Sequence, residues 1–217
     1  MNRIFLLGGG GHTKQVIDIL KINNIIVTGI FDDTKPINSI YYNNYKIIDK
    51  IDNLSKYIDK DDHLFCGIGD NIIRRDIVSN YKMYKFINVI SPFAYISRTT
   101  NIIGSGNYIG HNVNIQSDCI INNFNIINDN SCIMHDVEIG DYNHMCPMAV
   151  AGGNVRIGNC NLIGTNATIN PKIHIGNNNT IGSGSVIIRN INHNNIIVGN
   201  PGKVIKHQSY PPSHGYS

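Results

Sequence analysis

Ile109-Gly110-His111-Asn112-Val113-Asn114, Ile163-Gly164-Thr165-Asn166-Ala167-Thr168 and Ile181-Gly182-Ser183-Gly184-Ser185-Val186 are three copies of one six-residue pattern. An aliphatic residue leads each unit, Gly often follows it, and the fifth place takes a small or β-branched side chain. The leading residue recurs at Ile103, Ile109, Ile115, Ile121, Ile127, Ile133, Ile139, Met145, Ala151, Ile157, Ile163, Ile169, Ile175, Ile181 and Ile187. A fixed period like this is read before any single helix or strand. Three hexads make a triangular coil of eighteen residues, so residues 103–192 supply five coils with their leading side chains stacked inward. The pattern predicts a left-handed parallel β-helix. An incomplete coil precedes it, with Ile90, Ile96 and Ile102 one residue out of phase. Asn suits the turns, because it accepts left-handed backbone and bonds its own main chain.

Working outward, residues 1–88 read as a small Rossmann-like α/β unit. A strand Arg3 to Leu7 runs into Gly8-Gly9-Gly10-Gly11, and Val16, Ile17, Ile19 and Leu20 have helical spacing. A strand Ile25 to Phe31 ends in Asp32-Asp33, completing the order of a nucleotide-binding βαβ unit. A helix around Asp52 to Ile58 and a strand Leu64 to Cys66 follow. Gly67-Ile68-Gly69-Asp70-Asn71 then opens a helix carrying Ile72, Ile73, Ile77 and Val78, and a strand Lys85 to Ile90 reaches the repeat. The dinucleotide fingerprint is incomplete, since Thr13 stands where its third glycine belongs. That disfavours dehydrogenase chemistry and leaves a nucleotide-containing substrate open. Asp32 and Asp33 can bind a ribose or base edge, or simply form a solvated turn. The β-helix is expected over 89–207, and the Pro-, Ser- and Tyr-rich tail 208–217 is expected to be disordered.

Composition narrows the class. The net charge is +3 with 15% charged residues and no basic run, which argues against nucleic acid. Five cysteines, odd in number and without a C-x-x-C pair, fit reduced thiols in a cytoplasmic protein. No apolar run reaches membrane-spanning length, so no membrane partner is expected.

Leu7-Gly8-Gly9-Gly10-Gly11-His12, Phe31-Asp32-Asp33, Gly67-Ile68-Gly69-Asp70-Asn71-Ile72-Ile73-Arg74 and Ile133-Met134-His135-Asp136 together carry a resemblance. So do His144, Gly152-Gly153-Asn154-Val155-Arg156-Ile157-Gly158 and Val198-Gly199-Asn200-Pro201-Gly202-Lys203. The chain resembles the hexapeptide sugar acetyltransferases of the sialic acid O-acetyltransferase family. Within it, the likeness is to nucleotide-sugar N-acetyltransferases that act on 4-amino-4,6-dideoxy sugars. The resemblance implies acetyl-CoA as co-substrate, no metal, and a homotrimer with sites between neighbours. It favours a UDP-linked substrate and leaves GDP and dTDP open. It also places the substrate's nucleotide on Gly9, Gly10, Gly11, His12, Asp32, Asp33 and Asn71, with His144 as a substrate or acetyl contact. Two positions depart from the family: Asp136 stands where Glu is frequent, and Cys146-Pro147-Met148 replaces a coil usually built with Gly and Ser or Val.

The residues support the same chemistry directly. Acyl transfer from a thioester to an amine needs a base, an oxyanion donor and alignment. His135 sits at a turn position, and Asp136 can orient its ring, as in catalytic triads. Gly152-Gly153 lie one coil beyond His135 on the same prism edge, and the Gly153 N–H is a candidate oxyanion donor. CoA is then expected along Gly164, Ala167 and Gly182, with Lys203 either at a CoA phosphate or merely solvated. No cysteine has an adjacent base, so direct transfer is expected rather than an acyl-enzyme. Three alternatives stay open at this level. One is acetylation of a sugar hydroxyl, and a second is a non-catalytic binding protein. The third, a zinc site from His111, His135 and His144, has spacing that fits poorly.

Overall fold

The computed structural model describes residues 3–102 and 104–208. The α/β unit runs β1 (Ile4–Leu7), α1 (Gly11–Ile22), β2 (Gly29–Phe31), β3 (Ile40–Tyr42), β4 (Tyr45–Asp49), a 3-10 turn (Ile51–Lys56), β5 (His63–Cys66), α2 (Asn71–Asn80) and β6 (Lys85–Phe86). Its sheet has the order β3-β4-β2-β1-β5-β6, parallel except for the β3–β4 pair. β1 reads Ile-Phe-Leu-Leu and is buried throughout, as a strand covered on both faces must be. The strand order reverses at β1, which opens a crevice beyond the carboxyl ends of β1 and β5. Both glycine turns lie there.

Several expected elements differ from the structure. The strand expected from Ile25 contracts to Gly29–Phe31, because Ile25 N–H returns to Leu20 O at 2.8 Å and Ile26 is left exposed. The helix around Asp52 is a 3-10 turn. The hairpin β3–β4 was not foreseen. Its Asn43-Asn44 turn has φ of 49° and 66°, the left-handed pair that two-residue hairpins need.

From Val89 the chain winds as a three-faced parallel β-helix of two-residue strands. The first face stacks Val89–Ile90, Tyr108–Ile109, Ile126–Ile127, His144–Met145, Leu162–Ile163 and Thr180–Ile181, then Asn195–Val198 and the antiparallel strand Lys203–His207. The second face begins at Tyr95–Ile96 and includes Cys132–Ile133, Val150–Ala151 and Val186–Ile187. The third begins at Asn101–Ile102 and includes Glu138–Ile139, Arg156–Ile157 and His174–Ile175. The second residue of each strand points inward, and from Ile109 to Ile187 these residues are at most 4% exposed. Each fully buried Ile contributes about 2 kcal/mol of apolar transfer.

One ladder position is corrected. Ile102 pairs with Ile121, so the inward residue of the first coil is Ile102, and Ile103 lies outside the described residues. The supernumerary residue is absorbed before Tyr108, where Gly106 takes φ of 73°. The expected tail beyond Gln208 also lies outside the described residues.

Every sixth residue from Asn112 to Asn178 is left-handed, with φ between 55° and 64°. Asn and Asp fill most of these corners, where L-residues otherwise lose about 1–2 kcal/mol. The edge between the third and first faces has a further device. Asn107, Asn125, Asn143, Asn161 and Asn179 are 0% exposed. Each takes the backbone N–H of the next coil on Oδ1 at 2.8–2.9 Å, ending at Asn195. The Nδ2 groups of Asn125, Asn143 and Asn161 reach Gly140 O, Gly158 O and Gly176 O at 2.8 Å. Asn143→Leu would strip partners from the Asn161 N–H and Gly158 O, and should cost about 3 kcal/mol at the usual penalty per orphaned buried group. Exposed Asn112→Gly should cost only a few tenths, since glycine accepts the same turn. Denaturant midpoints of the two variants check the contrast.

Candidate active site

The first glycine turn is fixed from beneath. Gly8 has φ of 91°, a conformation glycine adopts without strain, and its N–H meets Phe31 O at 2.8 Å. Gly9 N–H donates to Asp32 Oδ2 at 2.6 Å, and Asp32 Oδ1 accepts from the Thr34 N–H and hydroxyl at 2.9 and 2.7 Å. Burial alone would raise the Asp32 carboxyl, but these bonds from Thr34 and Gly9 outweigh it and hold the group below its usual range. Both of its oxygens therefore brace the turn. Asp33 is exposed and caps the 3-10 turn through Ile51 N–H at 2.9 Å. Thr13, in place of a third glycine, donates from Oγ1 to Gly8 O at 2.6 Å and lies within 3.2 Å of Gly67 O. It stitches the two glycine turns together. Tyr41 on the hairpin donates its hydroxyl to Gly10 O.

Above this floor lies a cavity of about 400 Å³ lined by Gly10, Gly11, His12, Asp33, Ile51 and Ile73 among others. A methyl group at Gly10 or Gly11 would meet nothing within 4 Å, so a ligand can approach the backbone at the start of α1. The structure thus brings Gly10, Gly11, His12, Asp32 and Asp33 to one crevice, with Gly9 directly behind it. Asn71 sits elsewhere. Its Nδ2 donates to Asn161 O at 2.9 Å and its Oδ1 accepts from Arg74, so its side chain is occupied in the joint with the prism.

That joint covers the first face. His144 projects from it toward the α/β unit, with Nδ1 3.2 Å from Gly69 O. Burial, aided by the Arg74 charge, pushes the His144 imidazole down to about 4, and burial likewise takes His12 to about 4. His12 packs edge-on to Tyr108 with ring centroids 4.5 Å apart. The His12 Nε2, His144 Nε2 and Tyr108 hydroxyl are buried without a hydrogen-bond partner among the described residues.

His135 and Asp136 stand at the edge between the second and third faces, opposite the first. His135 Nδ1 lies 2.7 Å from Asp136 Oδ2, and both side chains are about half exposed. A carboxylate only accepts, so Nδ1 carries the proton and Nε2 offers a lone pair. Asp136 N–H bonds Ser117 O, Asn154 N–H bonds His135 O, and Lys172 N–H bonds Gly153 O, each at 2.9–3.0 Å. These turn-to-turn bonds pin His135 and Gly153 as successive rungs. A side chain at residue 153 would put Cβ 2.7 Å from His135 Nε2 and Cε1, so the ring can lie where it does only over glycine. Gly152 is packed as closely on Pro171.

Gly164 and Gly182 stand on the edge between the first and second faces, and Lys203 is exposed on the closing strand. Ala167 is corrected: it is 0% exposed with its methyl in the prism core, because it fills the small fifth position of its hexad, so it offers no side chain to a ligand. Sequence reasoning also passed over Tyr108 and Arg74. The only signal for Arg74 was its place in the second glycine motif, while Tyr108 carried none. Among the described residues, no group of three His, Cys, Asp or Glu could hold a metal ion, and no helix is long and apolar enough to cross a membrane.

Comparison with known proteins agrees with this layout. Residues 3–81 match the family described as PglD N-terminal domain, and residues 154–189 match bacterial transferase hexapeptide (six repeats). A curated relative, uncharacterized protein L142 of Acanthamoeba polyphaga mimivirus, is 44% identical over 121 residues, a match spanning 56% of this chain and 24% of that protein. The acetyltransferase domain of PglB from Neisseria gonorrhoeae, solved with acetyl coenzyme A, is 28% identical with a TM-score of 0.85, covering 94% of this chain and 100% of that one. WeeI from Acinetobacter baumannii is 25% identical with a TM-score of 0.86, over 94% and 100% of the two chains. A variant of GDP-perosamine N-acetyl transferase from Caulobacter crescentus, solved with CoA and GDP-perosamine, shares the fold at 24% identity and a TM-score of 0.86, over 95% and 98%. The resemblance read from the sequence therefore holds: a PglD-type N-terminal domain precedes a hexapeptide β-helix of the transferase type.

The two depressed histidines give this chain a pH signature. Unfolded imidazoles take up protons near 6.5, whereas the folded His12 and His144 resist them until about 4. Their contribution to stability is therefore complete above pH 6.5 and lost as pH falls toward 4. Melting temperature measured from pH 7 to 4.5 should fall, and His144→Gln should flatten that fall.

Proposed function

We propose that this chain, with its PglD-type N-terminal domain and hexapeptide β-helix, is an acetyl-CoA-dependent N-acetyltransferase. Its substrate is the 4-amino group of a nucleotide-linked 4-amino-4,6-dideoxy sugar. The observation that carries the reading is the His135–Asp136 pair seated over Gly153. The ligands named for the Neisseria and Caulobacter neighbours support it.

Acetyl-CoA supplies the acetyl group as a thioester, and its transfer to the amine releases the thiol. The edge suits such a co-substrate in one respect, since residues 152 and 153 add no side chain of their own beside the His135 ring and Pro171. Gly152, Gly153, Gly164, Gly182 and Lys203 would hold it. His135 Nε2 takes the proton that the amine sheds, and Asp136 stabilises the imidazolium through Nδ1–H. Gly153 N–H is the oxyanion donor. His12 and the glycine turns hold the nucleotide, with Asp33 at its rim. His144 meets the sugar or the acetyl group.

One chain does not assemble all of this. Its nucleotide crevice lies on the first face, and its His135 stands on the opposite edge. In a homotrimer of parallel prisms, the crevice of one subunit faces His135 of the partner subunit, and each cleft becomes complete. We assign the protein to the cytoplasm, in keeping with five free cysteines.

The decisive experiment is an acetyl-CoA consumption screen over UDP-, GDP- and dTDP-linked 4-amino sugars with their hydroxyl analogues. Turnover is expected on the amines, most rapidly on the UDP-linked one. Turnover on hydroxyls alone would make the protein an O-acetyltransferase, and turnover on none would remove the enzymatic reading. His135→Ala should lower kcat by about 10²–10⁴-fold, the usual worth of a general base, with acetyl-CoA binding retained. Mixing His135→Ala with the crevice variant Asp33→Arg should restore turnover if sites are shared between chains; no restoration in verified mixed trimers would show that they are not. Gly153→Ala should depress kcat with little change in melting temperature, because its methyl group displaces the His135 ring.

A further inference from the structure

We propose that Arg74 is a positioning residue, setting the tautomer and placement of His144 through the carbonyl of Gly69. Arg74 stands on α2, is 1% exposed, and spends its whole guanidinium on neutral acceptors. Nη1 donates to Ile68 O and Gly69 O at 2.9 and 3.0 Å, which grips the second glycine turn. Nε donates to Phe124 O at 3.0 Å, and Nη2 reaches Tyr142 O at 3.1 Å and Asn143 O at 3.3 Å on two successive coils of the prism. Nη2 also meets Asn71 Oδ1 at 2.8 Å. Among the described residues no carboxylate bonds it.

A buried cation without a counterion is costly, and apolar packing would join two domains at less expense. The cost becomes intelligible at Gly69. Its carbonyl also faces His144 Nδ1 at 3.2 Å. A carbonyl only accepts, so His144 must carry its proton on Nδ1 and present Nε2 as a bare acceptor. That Nε2 is buried and unpartnered. Arg74 therefore acts twice. It holds Gly69 O in place, and its charge discourages a second proton on the ring. The other groups around His144 do not oppose this: Ile126 and Leu162 flank it on the prism face, and the buried His12 on α1, whose own imidazole the His144 ring helps to keep neutral, brings no negative charge. The donor that Nε2 receives rests on the function proposed above, in which an N–H of the sugar amine is the natural one; the tautomer does not rest on it.

The test reads His144 without substrate. Long-range ¹H–¹⁵N spectra of the full-length, ¹⁵N-histidine-labelled protein should show His144 neutral and protonated on Nδ1 from pH 7 down to 5. In Arg74→Met the ring should lose that fixed tautomer or become protonated within this range, and Arg74→Lys, which restores the charge, should keep it neutral. An unchanged His144 signal in Arg74→Met overturns the proposal. Should Arg74→Met fail to fold, Asn71→Asp sets a carboxylate against Nη2 and should raise the pH at which His144 titrates; unchanged titration there also overturns it. With substrate, Arg74→Lys should raise KM for the nucleotide sugar about tenfold and leave KM for acetyl-CoA alone, the split expected when one binding half is displaced. Equal changes in both would mark a structural role only. Absence of turnover in the wild type would count against the acetyltransferase reading and leave the spectroscopic result standing.

Discussion

Corners govern this molecule. A coil made of two-residue strands must turn three times in eighteen residues, and each turn takes backbone N–H and C=O groups away from water. Turn bonds such as Ala167 N–H to Gly164 O satisfy some of those groups within their own coil, and the rest find no partner there. They find it in the next one: the left-handed corner residue donates to a carbonyl one coil back, and at one edge the buried Asn107–Asn179 side chains close the remaining gaps. No coil is satisfied alone, so the prism is stable only as a stack. The isoleucine ladders supply the driving force, and the corners supply the register that keeps one isoleucine above another.

The candidate site inherits that rigidity. His135 and Gly153 meet because they are successive rungs of one edge, held by the same turn-to-turn bonds as every other rung. The α/β unit uses the same surface differently. It spreads over the first face, and its second glycine turn is anchored through Arg74 to Phe124 O on one coil and to Tyr142 O and Asn143 O on the next. The glycine-turn crevice and the His135–Gly153 edge are thus referenced to one frame, although they stand on opposite sides of it.

The sequence made the periodic part legible and left the aperiodic part mostly hidden. A period of six fixes which residues face inward, so the core and the shared edge of His135 and Gly153 follow from counting, whereas the stretch read as an incomplete coil, Ile90 to Ile102, has a strand on every face. The one-residue shift at Ile90, Ile96 and Ile102 is visible in the sequence, but only strand pairing shows that Ile102, and not residue 103, stands under Ile121. The asparagine ladder was overlooked for a different reason. Asn is so abundant here that members eighteen apart do not stand out, and only burial separates Asn143 from exposed Asn112. Within the candidate site, His135–Asp136 were adjacent and therefore readable. Asn71 and Arg74 were not readable as joint residues, since their partners lie 50 to 90 positions away. Asp32 reads in the sequence as a ligand contact or a solvated turn, and the structure makes it a buried brace for Gly9 and Thr34.

The asparagine ladder has no built-in end. Asn88 Oδ1 already accepts the Asn107 N–H at 2.8 Å, Asn195 Oδ1 has no partner among the described residues, and each rung between them meets the next through the same Oδ1-to-N–H contact. Such a stack does not count its own coils. A scaffold of this kind can change length in evolution by whole steps of eighteen residues, and any other step rotates the later coils onto a different face. Addition beyond the last rung touching the α/β unit alters only height, whereas addition between Tyr142 and Gly153 would separate partners that depend on being neighbours. The prism is therefore extensible on one side of its working parts and inextensible within them.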